Sequence, residues 1–394
     1  MWLRMIGGAC CFSLILCRGA IGAEPTLADF YANEIRSTPE RVASLPADAS
    51  AGTEASRLPA SLIAEPSSSE SSPATNSYGC DGWSDECCNL MPSCKLCPCT
   101  YGWAEGMLLW RDNQSTNRPV VINLNTQDTL ISTSDPGFEA GWGIRAGFGL
   151  RRCDTWGWEF EYLGLFDQDA ARSVELADEL ALPGDLGLAT NNFFFADEVS
   201  VHYSSQVNSA EINRVCCCCC CDDPCCCRSV EWLYGFRYLN LNEDFSIVST
   251  DLQEGTSTYD IHTNNNLFGA QVGNRVRHSR GRWSWEGTGK AGIFGNAAEQ
   301  HSDPIIDFPA FVVRSGRSES AGNVAFVGDL NLTAIYQINS VWGARLGYNL
   351  IWIEGVALAP DQLDFTNTTT SGSGISTDGG VLLHGINAGV EARW

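Results

Sequence analysis

The residues able to do chemistry fall into two groups. Five histidines stand at 202, 262, 278, 301 and 384, and two of them lie close to aspartate, as Asp260 with His262 and His301 with Asp303. An imidazole beside a carboxylate is the elementary unit of general acid–base work. Both pairs fall in stretches that read as loops, with no strand to hold them, and such pairs arise readily by chance. No nucleophile elbow, phosphate loop or complete metal motif accompanies them. The expectation is a chain that is not an enzyme, with no catalytic residue, no cofactor and no bound metal.

Cysteine is the second group, with nineteen in all. Sixteen follow residue 23: Cys80, Cys87, Cys88, Cys94, Cys97, Cys99, Cys153, Cys216, Cys217, Cys218, Cys219, Cys220, Cys221, Cys225, Cys226 and Cys227. Cys94-x-x-Cys97 is half of a zinc site, but no second half with histidine follows. The stretch from Cys221 through Asp222, Asp223 and Pro224 to Cys225 offers thiolates to a soft metal. Disulfides are the first reading in an exported chain. An even count is compatible with full pairing, linking the 216–227 run to the 80–99 cluster or to neighbouring molecules. Connectivity is not deducible.

Export is written at the start of the chain. Arg4 precedes an apolar stretch from Met5 to Cys17, and the small residues Gly19, Ala20, Gly22 and Ala23 follow. This reads as a signal peptide over 1–23. Cys17 follows the bulky Leu16, which fits a lipoprotein site poorly. No apolar run is long enough to cross a bilayer as a helix. A formal charge of −23 argues against nucleic-acid partners. Residues 24–79 are rich in Ser, Pro, Ala and Glu and bury too little to repay ordering, so they read as a disordered tether. A cysteine-rich periplasmic segment spans 80–100, and 101–394 carries the fold.

That fold must come from strands. Trp156, Trp158, Phe160, Tyr162 and Phe166 alternate with Gly157, Glu159 and Glu161, giving one aromatic face and one carrying carboxylates. The pattern recurs over about 101–111, 139–151, 155–167, 198–211, 229–242, 266–278, 283–296, 323–337, 340–354 and 380–394. No helical pattern covers the apolar faces, so lipid is the expected partner. Long and short connections alternate, except that the short-turn position 212–228 is long. The expectation is all-β: an antiparallel up-and-down transmembrane β-barrel of about ten strands (10–12), with long loops outside and both ends in the periplasm. Trp342 and Trp352 sit ten residues apart on one face, about 25 Å along the membrane normal at ordinary rise and tilt. They read as two aromatic girdles. The last strand ends on Val390, Ala392 and Trp394, in the manner of a signal for barrel-assembly machinery; His384 interrupts its apolar face.

The opposite strand faces point inward. They carry Glu105, Arg111, Arg145, Glu159, Glu161, Glu231, Arg237, Arg275, Glu286, Lys290, Asp329, Arg345, Glu391 and Arg393. Acids and bases balance, so paired charges are expected to fill a narrow, selective or closed lumen, with glycines at 141, 143, 147 and 149 leaving room for long arginines. The long connections hold most of the net charge. This acidic crown suits divalent cations or repels anions at a mouth, or is simply solvated.

Trp103-Ala104-Glu105-Gly106-Met107-Leu108-Leu109-Trp110 resembles the opening strand of the beta-barrel porin-7 family, with Gly106 in place of a frequent aromatic residue. The segment Gly141 to Gly149, a short turn and then Trp156 to Leu165 resembles its next hairpin. The likeness extends over 101–394 and is specific mainly in 101–167; the cysteine runs and tether depart from it. It implies an outer-membrane barrel and carries no catalytic residues or substrate. The functional expectation is a porin-like pore for small solutes in the bacterial outer membrane. A structural or adhesive surface barrel and an outer-membrane hydrolase are the alternatives. Expected partners are outer-membrane lipid, the assembly machinery and disulfide-linked or oligomeric neighbours.

Overall fold

In the computed structural model, the described residues are 100–152, 156–218, 228–307 and 311–394. The expected signal peptide, tether and 80–99 cysteine cluster lie outside them, as do Cys153 and Cys219 to Cys227.

Fourteen strands occur among the described residues: β1 (Thr100–Asp112), β2 (Pro119–Asn123), β3 (Thr129–Ser132), β4 (Gly141–Arg152), β5 (Trp156–Ala181), β6 (Phe194–Cys218), β7 (Arg228–Asp251), β8 (Gly255–Arg280), β9 (Trp283–Ser302), β10 (Ile305–Asp307), β11 (Phe311–Arg314), β12 (Arg317–Gln337), β13 (Trp342–Val356) and β14 (Gly379–Arg393). Ten of them close a ring in the order β1, β4, β5, β6, β7, β8, β9, β12, β13, β14 and back to β1. Every pairing in the ring is antiparallel. The expected barrel and strand number are observed. The β2–β3 hairpin adds to β5 at Ile122 and Asn123, beyond the level at which β4 has begun.

Two long connections expected as loops are instead wall. β5 runs 26 residues and β6 runs 25, absorbing most of 168–197. β7 and β8 continue through most of 243–265 to a turn at 252–254, where Asp251 Oδ1 accepts from the amides of Gln253 (2.6 Å) and Glu254 (3.1 Å). The inward alternation never stops: Phe245, Ile247, Tyr259 and Ile261 are buried. Only the outward residues change from apolar to polar, and that change made the segments resemble loops.

The outer face of β6 to β9 is ordered in horizontal rows by the strand register. Ile212, Phe236, Ala270 and Ile293 form one row, and Ala210, Tyr238, Phe268 and Gly295 the next. Directly above come Asn208, Asn240, Asn266 and Ala297, then Gln206, Asn242, Asn264 and Glu299. The amides bond to one another, Asn240 donating to Asn264 (2.8 Å) and Asn242 to Asn240 (2.9 Å). A carboxamide row has no place in hydrocarbon, so it marks the upper edge of the lipid band. At the lower edge Trp283, Tyr336, Trp342 and Trp394 face outward and exposed. Trp142, Phe268 and Trp352 lie toward the upper edge, each against an aromatic neighbour: Phe166, Tyr238 and Phe326.

Candidate functional site: a charged lumen closed by an inward loop

Side chains of strands that are not ring neighbours can meet only through the interior. In the lowest layer Arg275 of β8 reaches Glu159 of β5 through two contacts of 2.8 Å and Glu231 of β7 at 3.2 Å. Tyr101 of β1 donates to the same Glu159 at 2.6 Å. Arg345 of β13 joins Glu105, Glu286 (3.2 Å) and Glu391 (2.8 Å), while Arg277 holds Glu391 at 2.7 Å. The next layer centres on Asp329 of β12, which meets Arg145 (3.1 Å), Arg237 (3.4 Å) and Lys290 (3.8 Å). Lys290 also holds Glu161 at 3.2 Å and Glu211 of β6. An isolated charge in such a place is prohibitively costly, so every one of these carboxylates has at least one cationic partner, and Glu161, Glu231, Glu286, Glu391 and Asp329 have two or more.

Gly147 and Gly149 serve the lowest layer in a way different from the expected one. A Cβ on either would lie 2.2 Å from the Trp103 ring or 2.1 Å from the Tyr101 ring. The glycines seat two stacked aromatic rings (centroids 5.9 Å apart), and Arg151, Arg275 and Arg345 lie over those rings.

Above the charges the lumen turns apolar. Leu109, Leu165, Leu239, Leu267, Phe294 and Ile351 are buried in one inward cluster with Val356 and Leu358. Higher still, Arg111 lies between the rings of Phe138 and Tyr203, at 4.5 and 5.0 Å, and is paired with Glu243.

The connection between β13 and β14, expected as an outer loop, folds inward. Ala357 to Leu363 are all buried. Asn265 of β8 grips Ala357 on both sides, donating to its carbonyl and accepting from its amide at 2.8 Å each. Asn296 and Asn323 both donate to the Gly355 carbonyl, at 3.1 and 2.9 Å. The Ala359 amide donates to Glu243 at 2.9 Å. Further out, Arg314 of β11 donates to the carbonyls of Asp364 (2.9 Å) and Thr366. Gly355 has φ +82°, and a Cβ there would meet the Val324 carbonyl at 2.7 Å, so the turn into the lumen requires glycine.

Thirteen of the fourteen sequence-selected inward residues occupy this interior. Arg393 does not join them; it is half-buried at the lower rim, 3.2 Å from Glu391. The sequence reading missed Tyr101, Glu211, Glu243 and Arg277. All share the parity of their inward neighbours: Tyr101, Glu211 and Arg277 lie within the expected strands 101–111, 198–211 and 266–278, and Glu243 one residue beyond 229–242, so applying the period of two to every polar residue would have found them. Val390 and Trp394 face outward while Ala392 is buried beside the seam. Cys216 has no disulfide partner among the described residues.

Both histidines and Asp260 are on strands, not loops, and Asp303 directly follows the end of β9. His262 and His301 are register partners on β8 and β9, with stacked rings 6.2 Å apart. His262 Nδ1 bonds to Asp244, and its Nε2 lies 3.8 Å from Asp303; His301 Nε2 is 3.0 Å from Asp303 and its Nδ1 2.8 Å from Ser318 Oγ. They face outward; the His301–Asp303 pair named from the sequence is present, whereas the carboxylate bonded to His262 is Asp244 of β7 rather than the neighbouring Asp260. Among the described residues, no group of three or more His, Cys, Asp or Glu side chains is placed to hold a metal ion.

A closed ring of antiparallel strands with a lipid-facing belt and a filled lumen is now in place. Residues 110–303 match the family model described as "Putative beta barrel porin-7". This is the family suspected from the opening strands. No curated protein sequence matches. Among solved structures, the chain is similar to the outer membrane protease OmpT from Escherichia coli, with 8% identity over 75% of this chain and 96% of that one and a TM-score of 0.44. It is also similar to a major outer membrane protein from Thermus thermophilus (10% identity, 75% and 99% covered, TM-score 0.30). A third similar structure is a Pseudomonas aeruginosa FadL homologue (7%, 75% and 90%, TM-score 0.23). The expectation of a non-enzyme is corrected on this comparison, since a protease stands among the similar barrels. No catalytic role is carried over from it.

Proposed function

We propose that the protein is a porin-like barrel of the bacterial outer membrane whose route for small solutes is held shut by the loop at 357–376. The observation that supports this reading is the burial of Ala357 to Leu363 on top of the apolar layer, held by side chains of the wall. The charge layers below then select small polar solutes, because any passing group must displace paired carboxylates and guanidinium groups. Planar-bilayer recording on refolded protein tests it. The intact protein is expected to give brief, small current steps, and a variant with 357–376 replaced by a short Gly/Ser linker a steady current. A folded linker variant that stays silent would overturn the proposal. That result would favour a surface barrel without transport, a reading that draws on the tall polar wall above the amide rows.

A further inference from the structure

The row of side chains immediately above the amide rows runs Ser204, Asp244, His262, His301 and Ser318 across β6, β7, β8, β9 and β12. Contacts link it end to end: Ser204 donates to Asp244 (3.4 Å), Asp244 bonds to His262, and Asp303 bridges His262 and His301. Asp303 follows the end of β9, and its amide also donates to the Asp260 carbonyl at 3.2 Å. Two residues on, Ile305 pairs with Arg314, the arginine that holds the inward loop at Asp364 and Thr366. One continuous set of contacts therefore joins an exposed imidazole to the element that closes the lumen.

We propose that this row is a proton-operated latch: imidazolium at His262 ties Asp303 to the outer wall and so keeps the Ile305–Arg314 clamp seated on the 357–376 loop. The proposal rests on that loop being the closing element. His262 is set between Asp244 and Asp303, and only the doubly protonated ring can donate to carboxylates on both sides. Other titratable groups around it are Asp260 on its own strand and Glu299 and His301 on β9; Ser318 on β12 is a hydroxyl. Partial burial alone would lower the His262 pKa, but the bond and charge of Asp244, with Asp303 and Asp260, carry it above the ordinary value. A raised folded pKa means the latch is complete below about 6.5 and is lost as pH rises through the elevated value. Asp364 on the loop has the opposite sign. Burial would raise its pKa, but bonds from Thr366 and Gly372, with the Arg314 charge, hold it below the usual carboxylate range. Its contribution is present above about pH 4 and fails only on strong acidification, below the window in which the latch acts.

Hydrogen–deuterium exchange of refolded full-length protein, corrected for the intrinsic pH dependence of exchange, tests the latch. Amides of 357–376 should exchange at least tenfold more slowly at pH 5.5 than at pH 8.5. In His262→Gln, or in Asp303→Asn should the first variant misfold, both pH values should give the faster rate. Equal protection at the two pH values in the natural protein, or an unchanged pH dependence in the variants, would overturn the latch. Bilayer current is recorded separately. Protection that responds to pH without current at either pH sinks the transport reading and leaves the latch standing.

Discussion

Asp329 gathers three buried cations of the lumen, with Arg145, Arg237 and Lys290 all within 4 Å. Replacing it by alanine leaves three buried cations short of a partner and should destabilise the barrel by about 3–5 kcal/mol, the range for breaking a buried pair. Denaturant unfolding in detergent measures this. Replacement of Arg393, at the open rim, should change stability by less than about 1 kcal/mol in the same assay. Residue identity inside the lumen was legible because the period of two assigns every side chain to a face once a single one is known. What it could not give was partnership: nothing in the sequence says that Arg345 of β13 answers Glu286 of β9, since only ring closure brings them together.

At the scale of elements, the inward loop is the feature with most consequence. Gly355→Val places a side chain against the Val324 carbonyl in a positive-φ turn and should displace the loop. The expected result is longer and more frequent openings in bilayer recording with an unchanged heat-modifiable gel shift. Asn265→Leu removes both bonds to Ala357 and should act in the same direction. Val356-Ala357-Leu358-Ala359 is an apolar run in a connection that otherwise reads as an outer loop. That run is the sign in the sequence that the segment folds into the lumen, and because it is not a strand it carries no period of two to mark it. The extended walls of β5 to β8 were hidden for a related reason. Their outward residues left the lipid while their inward residues kept to the same face.

For the molecule as a whole, the register rows define how the barrel sits in its lipid. Leu346, mid-way between Trp342 and Trp352 and exposed outward, should cost about 2–4 kcal/mol when changed to arginine. Asn264→Arg, in the amide rows, should cost only about 0–1 kcal/mol. A lipid-refolding equilibrium on both variants checks the placement, and equal costs would mean that the band is set elsewhere. Strand number and belt were readable from the sequence because lipid and lumen impose opposite chemistry on alternate residues.

The seam between β1 and β14 has a consequence for how the molecule is made. Glu105 and Asn387 touch across it although they stand 282 positions apart in the chain, and backbone bonds join Thr100 to Trp394 in both directions. Every other wall pairing can form as a hairpin or after a modest connection, whereas this one must gather almost the whole folded segment first. Until then β1 and β14 are both open edges, ready to accept a foreign strand. Circularisation is therefore expected to be the slow, late step of folding, and the interval before it the period of greatest exposure to aggregation.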